Sequence, residues 1–203
     1  IRRQRQMCIR DRPEPFGDGG TKMAWNTFNV VSIYPNGNPV MSDVNQRWVG
    51  DCCACAVIAS MAYLYPRFVK HIIKDNMDKT YTVTMYDPKG KQISVGVGGD
   101  YFIGNSGDLG ALGGRNKEVT WATILEKAMI KWNQIYQGSS NVGGIGTEYV
   151  SAIFTGDGES VGFGANALIA EDLQRAVEVS LKQGRLVIGG FTRSGEQVDQ
   201  NWQ

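Results

Sequence analysis

Histidine is nearly missing from this chain: His71 is the only one in 203 residues. That scarcity narrows the metal chemistry at once. Cys52, Cys53 and Cys55 crowd three thiols into four positions, and no second Cys/His pair exists to complete a tetrahedral zinc site. A disulfide framework is excluded as well, because adjacent cysteines bridge only with strain and Cys8, the remaining one, lies in an atypical opening segment. Charge of one sign is lacking too, with 21 Lys and Arg against 20 Asp and Glu and a net charge of +1. Outside the first twelve residues there is no basic stripe, so the electrostatic footprint of nucleic acid binding is missing. Apolar runs are short: the longest, Ala54 to Tyr65, falls below the ~18 residues of a membrane span and fits a core helix. The glycine-rich stretch from Gly96 to Gly114 carries no Gly-Lys-Ser/Thr, which rules out a phosphate cradle and leaves a mobile loop.

What is present suits a globular chain. Hydrophobic residues make up 42% of the sequence, enough to bury a sizeable core at this length. The segment Asp43-Val44-Asn45-Gln46-Arg47-Trp48-Val49-Gly50-Asp51-Cys52 stands out within it. Cys52 opens a run that is Ala-rich and apolar almost all round through Tyr65, ending at Pro66, and this predicts a buried helix with Cys52 in its first turn. Unpaired N–H groups and the helix macrodipole favour an anion at that place, which is how a thiol is turned into a nucleophile. Gln46, six residues upstream in a loop, is placed to fold back so that its amide and the Cys52 N–H point at one oxyanion. Losing one such donor costs on the order of 100-fold in turnover. The plainer alternative is a surface glutamine and a structural cysteine, with Cys53 and Cys55 as small core residues.

A thiol nucleophile needs an imidazole partner. His71 lies past the far end of the Cys52 helix, which at 1.5 Å per residue is about 20 Å long, so it reads as a structural or surface residue. Elsewhere, Trp25 to Val40 is a loop-rich lead-in with a turn at Pro35 to Gly37. Tyr81–Tyr86 and Lys91–Val95 read as two strands joined at Asp87-Pro88-Lys89-Gly90. Ile124, Leu125, Ala128, Met129 and Trp132 recur at helical spacing within 119–134, with Lys and Glu between them, predicting an amphipathic core helix. A second such helix is predicted over 167–184, capped by Gly184 before a strand-like run, Val187 to Phe191. Residues 1–12, basic and without helical or strand period, are set aside as a non-native or disordered arm; a basic arm for an acidic partner is the alternative.

Three colinear blocks carry a resemblance. The segment around Gln46 and Cys52 resembles the nucleophile block of calpain-family cysteine proteases, usually Gln-Gly-x-Leu-Gly-Asp-Cys-Trp before an Ala/Ser-rich helix. Trp121 to Ala128 is similar to the family's Trp-x-x-Leu-Leu-Glu-Lys-Ala, and Gly143 to Glu148 with Phe154-Thr155-Gly156 to its Gly-Gly-x-x-Thr-Glu and Phe-Thr-Gly. Arg47 stands where the family usually has Gly, and Cys53 where it has Trp. The resemblance implies an α+β, papain-like fold, with the nucleophile half over 24–156 and the start of a truncated, β-rich second half over 157–203. It implies Cys52 as nucleophile, Gln46 as oxyanion donor, Gly144 with Gly143 as main-chain contacts for a bound peptide, and a protein or peptide as substrate. The family's His and Asn segments have no counterpart and are expected beyond Gln203, leaving a fragment inactive alone. Calcium is a further implication, with Asp43 matching one acidic ligand while Val119 occupies the position of a second and Glu118 sits one earlier. No cofactor is required for the chemistry itself. Two other readings stand beside this one: a non-catalytic calpain-like module that binds peptides or partners, and transglutaminase-type acyl transfer. No targeting signal is visible, and the compartment stays open.

Overall fold

The computed structural model describes residues 24–104, 106–139, 142–143, 145–162 and 167–189. These fall into two compact units, divided between Phe163 and Gly164.

The first unit is built on a helix whose apolar face follows the sequence pattern. Helix α1, Cys52–Leu64, buries Ala54, Val57, Ile58, Met61 and Ala62, the i, i+3, i+4, i+7, i+8 stripe of a core-facing helix. It stops before Pro66, which begins helix α2, Pro66–Ile72. Proline tolerates a first helical turn but not an interior, and the two axes bend by 113° there. His71 lies in the last turn of α2, exposed. The hairpin is present as β3, Tyr81–Tyr86, against β4, Gln92–Val97, in register from Tyr81 opposite Val97 to Tyr86 opposite Gln92. Tyr81, Val83 and Met85 face the core in alternation. A short β2, Ile73–Asp75, extends this sheet beyond β3.

Two further strands, like β2, were not visible in the pattern. Trp25 lies in β1, Ala24–Thr27, which pairs antiparallel with β5, Asp100–Ile103. Strand β5 sits inside the glycine-rich stretch, and the expectation of a mobile loop there is corrected: Leu109, Ala111 and Leu112 are buried. Two of its glycines serve close packing. A Cβ on Gly110 would come within 2.5 Å of the Phe102 ring, and one on Gly104 within 2.5 Å of the Trp48 indole.

Helix α3, Trp121–Gln137, is longer than predicted and buried from Trp121 to Asn133, charged residues included. The amphipathic expectation is corrected for a physical reason. Strands β4 and β5 and the turn between them supply acceptors for the buried cations: Lys127 Nζ donates to Asp100 O (2.6 Å), Asp100 Oδ1 (2.9 Å) and Gly98 O (3.4 Å), and Lys131 Nζ to Gly96 O (2.7 Å). Lys127 also lies 5.1 Å from the Trp25 ring centre, a cation–π contact. Helix α4, Thr147–Thr155, buries Val150, Ile153 and Phe154 and packs on α1 and β3. It closes on Gly156 at φ 77°, where a side chain would meet Tyr86.

The second unit contains helix α5, Ala170–Lys182. Its end is a glycine cap as predicted: Gly184 has φ 71°, and Arg185 N–H donates to Ser180 O at 3.0 Å. The strand expected at Val187 to Phe191 is not formed at 187–189, and its last two residues lie outside the described ones, as does the arm at 1–12.

Candidate functional site

The loop from Asp43 to Asp51 is held in place from below by the first two turns of α3. Asn45 N–H donates to Gly113 O (3.0 Å), Trp48 N–H to Gly110 O (3.1 Å), and the Arg47 guanidinium to Gly114 O (2.5 Å). The 110–114 segment is in turn fastened to α3: Leu112 N–H donates to Glu126 Oε2 (3.0 Å) and Thr123 Oγ1 to Leu112 O (2.5 Å). At the loop's start, Trp121 Nε1 donates to Asp43 Oδ2 (2.6 Å) and Thr120 Oγ1 to Asp43 O (3.1 Å). A segment with little regular structure of its own is thereby clamped at both ends.

On that loop the two residues singled out by the sequence lie close in the chain and face different ways. Cys52 is the first residue of α1 and is exposed. Cys55 N–H makes the first helical bond, to Asp51 O at 3.0 Å, so the N–H of Cys52 precedes the helix's own ladder. Gln46 is turned inward at its amide: Nε2 donates to Val49 O at 2.9 Å and to Asp51 Oδ1 at 3.4 Å. The amide nitrogen is therefore engaged within the loop. Trp48, between them, is 57% exposed.

Beneath Cys52 lies a group of titratable side chains that motif spacing had not singled out. Asp51 is fully buried. Its Oδ1 accepts from Gln46 and from the Cys55 thiol (3.5 Å), while Oδ2 meets no N–H, hydroxyl or thiol donor. Glu126, itself buried, is an electrostatic neighbour of Asp51. Burial pushes Glu126 well above the ordinary glutamate range, and the adjacent Asp51 adds to the rise. Burial also raises Asp51, while acceptor contacts with Cys55, Glu126 and Gln46 pull it back. Cys55 is driven strongly upward by burial and then by the charges of Asp51 and Glu126, so its thiol stays a neutral donor. Cys53, half-buried, is raised by desolvation first, then by Cys52 and by Glu148 at the start of α4.

A hard cation wants six to eight oxygen ligands. Around Asp43 the structure supplies donors instead: Asn36 Nδ2 (2.9 Å) and Val40 N–H (3.2 Å) in addition to Trp121. In this structure the Asp43 carboxylate thus accepts from three N–H groups, one at Oδ1 and two at Oδ2. Among the described residues no group of three or more His, Cys, Asp or Glu is arranged for a metal ion. Of the peptide-contacting glycines, Gly144 lies outside the described residues. Gly143 sits in the turn between buried Val142 and Ile145, whose N–H donates to Val142 O at 3.3 Å. The signal for Asp51 and Glu126 was within reach, because each belongs to one of the motif blocks, Gly-Asp-Cys and Leu-Glu-Lys. Read along the chain, however, Glu126 looked like the polar spacer of an amphipathic face.

No single helix among the described residues is long and apolar enough to cross a membrane. A search of curated proteins finds no match for this chain. A protein-family model described as calpain family cysteine protease matches residues 24–201, a span that includes the loop, α1, α3 and α4 just described. The chain belongs to the calpain family of cysteine proteases.

Proposed function

We propose that this chain carries the nucleophile side of a cysteine endopeptidase site acting on proteins or peptides. The observation that supports it is Cys52, exposed at the first position of α1, on the same clamped loop as Gln46. In the reaction, the Cys52 sulfur attacks the peptide carbonyl carbon and the C=O electron pair moves onto oxygen. The Cys52 N–H and one Nε2–H of Gln46, released from Val49 O, hold that oxyanion. Collapse breaks the C–N bond, the amine leaves with a proton from an imidazole, and water hydrolyses the thioester. His71, exposed in the last turn of α2, is not the imidazole in this reading.

Iodoacetamide labelling with peptide mapping tests the assignment, with Cys52 expected to take label well ahead of Cys53 and Cys55. In parallel, the 203-residue chain is expected to leave casein intact. Cleavage that Cys52→Ala abolishes would overturn the division of the site, and preferential labelling of Cys53 or Cys55 would overturn the nucleophile.

A further inference from the structure

We propose that Cys52 and Cys55 form a reversible disulfide across the first turn of α1 when peroxide oxidises the exposed thiol, and that this bond is a redox switch on the nucleophile. The switching role, though not the bond itself, rests on Cys52 acting as proposed above. The two cysteines occupy the first and fourth positions of α1, and Cys55 N–H closes that turn on Asp51 O at 3.0 Å. Residues so spaced in an α-helix have Cα atoms about 5 Å apart. That lies inside the separation of roughly 4.4–6.8 Å that a disulfide spans. Side chains of a helix lean toward its N-terminus, and Cys55 follows: its Sγ donates to Asp51 Oδ1 at 3.5 Å, four residues back. The Cys55 sulfur is thereby held over the turn that Cys52 opens.

The neighbouring pairs do not close in this way. Cys52 and Cys53 are joined by a trans peptide, with Cα atoms about 3.8 Å apart, too near for an unstrained bridge, although the two thiols are electrostatic neighbours. Cys53 and Cys55, two apart in a helix, do not face each other. Cys52 is the exposed member, and Cys53 and Cys55 are partly covered, so an oxidant in solution meets Cys52 first. Burial keeps the Cys55 thiol neutral, which makes it the resolving partner rather than the target.

With hydrogen peroxide as oxidant the electrons balance in two steps. The Cys52 thiolate attacks one peroxide oxygen; the S–O bond forms, the O–O bond breaks, and hydroxide leaves and takes up the proton that the thiol had released. The Cys55 sulfur then attacks the Cys52 sulfur of the sulfenic acid; the S–S bond forms, the S–O bond breaks and a second hydroxide departs. The proton that Cys55 directs at Asp51 Oδ1 in the reduced chain goes to that hydroxide as water. Two thiols have lost two electrons and one peroxide has become two waters. A thiol fixed within the same helical turn acts at an effective concentration that no free thiol matches. The bond withdraws the sulfur from peptide attack and stops its oxidation short of the sulfinic and sulfonic acids, which thiols do not reverse. Exchange with a dithiol restores Cys52.

Peptide mapping of the 203-residue chain tests this. The chain is treated with a small excess of hydrogen peroxide, its free thiols are blocked with iodoacetamide, and the tryptic digest is read by tandem mass spectrometry. The peptide from Trp48 to Arg67, which holds Cys52, Cys53 and Cys55, is expected to lack two hydrogens and to carry its single label on Cys53. Dithiothreitol before blocking should return all three labels. Cys53→Ser should keep the bond, whereas Cys55→Ser should lose it and let Cys52 run on to sulfinic acid. Three labels after peroxide, a Cys52 sulfinic acid in the wild type without the bond, or Cys52 joined to Cys53 or Cys8 overturns the proposal, and that reading requires no variant to fold. Labelling of the untreated chain reports on the nucleophile separately. Cys52 labelled first with no bond formed sinks the switch alone; a bond formed at a Cys52 that labels no faster than its neighbours sinks the proposed function and the switching role with it.

Discussion

Helices α3 and α5 carry similar patterns and opposite environments. Both place apolar residues at helical spacing with acids and bases between them: Ile124, Leu125, Ala128 and Met129 among Glu126, Lys127 and Lys131; Leu173, Val177 and Leu181 among Arg175, Glu178 and Lys182. Yet α3 is buried from Trp121 to Asn133 with its charges inside, whereas no residue of α5 is buried. The difference lies in what the charges meet. Backbone carbonyls at Gly96, Gly98 and Asp100 take the α3 lysines, Leu112 N–H and Asp51 take its glutamate, and Asp43 takes its tryptophan. In α5 the one side-chain contact described between polar groups is local, Gln174 to Glu178 at 2.8 Å. Periodicity shows which face of a helix is apolar. Whether the polar face is also buried depends on partners far away in sequence.

Breaking α3 at its first residue should have the largest effect. Trp121→Ala removes a fully buried side chain and leaves Asp43 without its closest donor, with an expected loss of about 3–5 kcal/mol. Urea unfolding followed by fluorescence of the remaining tryptophans measures it. A loss below about 1 kcal/mol would mean that α3 does not anchor the loop.

A middle-sized effect concerns pH. Glu126 titrates higher folded than its unfolded value of about 4.3. Between those two values the folded chain binds more protons than the unfolded one, so this group makes stability fall as pH rises, from near pH 4 up to the folded-state value. Asp51, also raised, acts in the same direction, while Asp100, lowered by its bond to Lys127 against the pull of burial, acts in the opposite one. Subtracting the stability of Glu126→Gln from that of the wild type at each pH isolates the glutamate. The difference should slope downward by at most about 1.4 kcal/mol per pH unit within the window; a flat difference from pH 4 to 8 would contradict it.

At the small end stands α5. Glu178→Ala, which loses only the exposed contact with Gln174, should change stability by no more than about 0.5 kcal/mol. A larger loss in the same urea titration would show that this helix has a partner of the kind α3 has.

Much of the scaffold was legible because its determinants are local. Pro66 ends α1 by removing an N–H and clashing with the preceding turn, alternating residues mark β3, and Gly184 can take the left-handed conformation that closes α5. Strands β1 and β5 were not legible: Asp100 to Ile103 is short, lies among glycines, and becomes a strand only by pairing with Ala24 to Thr27. The same holds for Gly104 and Gly110, which read as freedom along the chain and turn out to be the points where Trp48 and Phe102 press closest.

By itself the sequence determined the order and spacing of the loop glutamine and the cysteine that opens α1, and with them the family, because those depend on near neighbours and on a helix's first turn. Only the tertiary structure decided that the Gln46 amide points inward to Val49 and Asp51, that Asp43 accepts from three nitrogen donors, and that Asp51 and Glu126 are both buried. The reason is that a buried polar group must find a partner wherever the fold supplies one, and helix or strand period carries no record of where that will be.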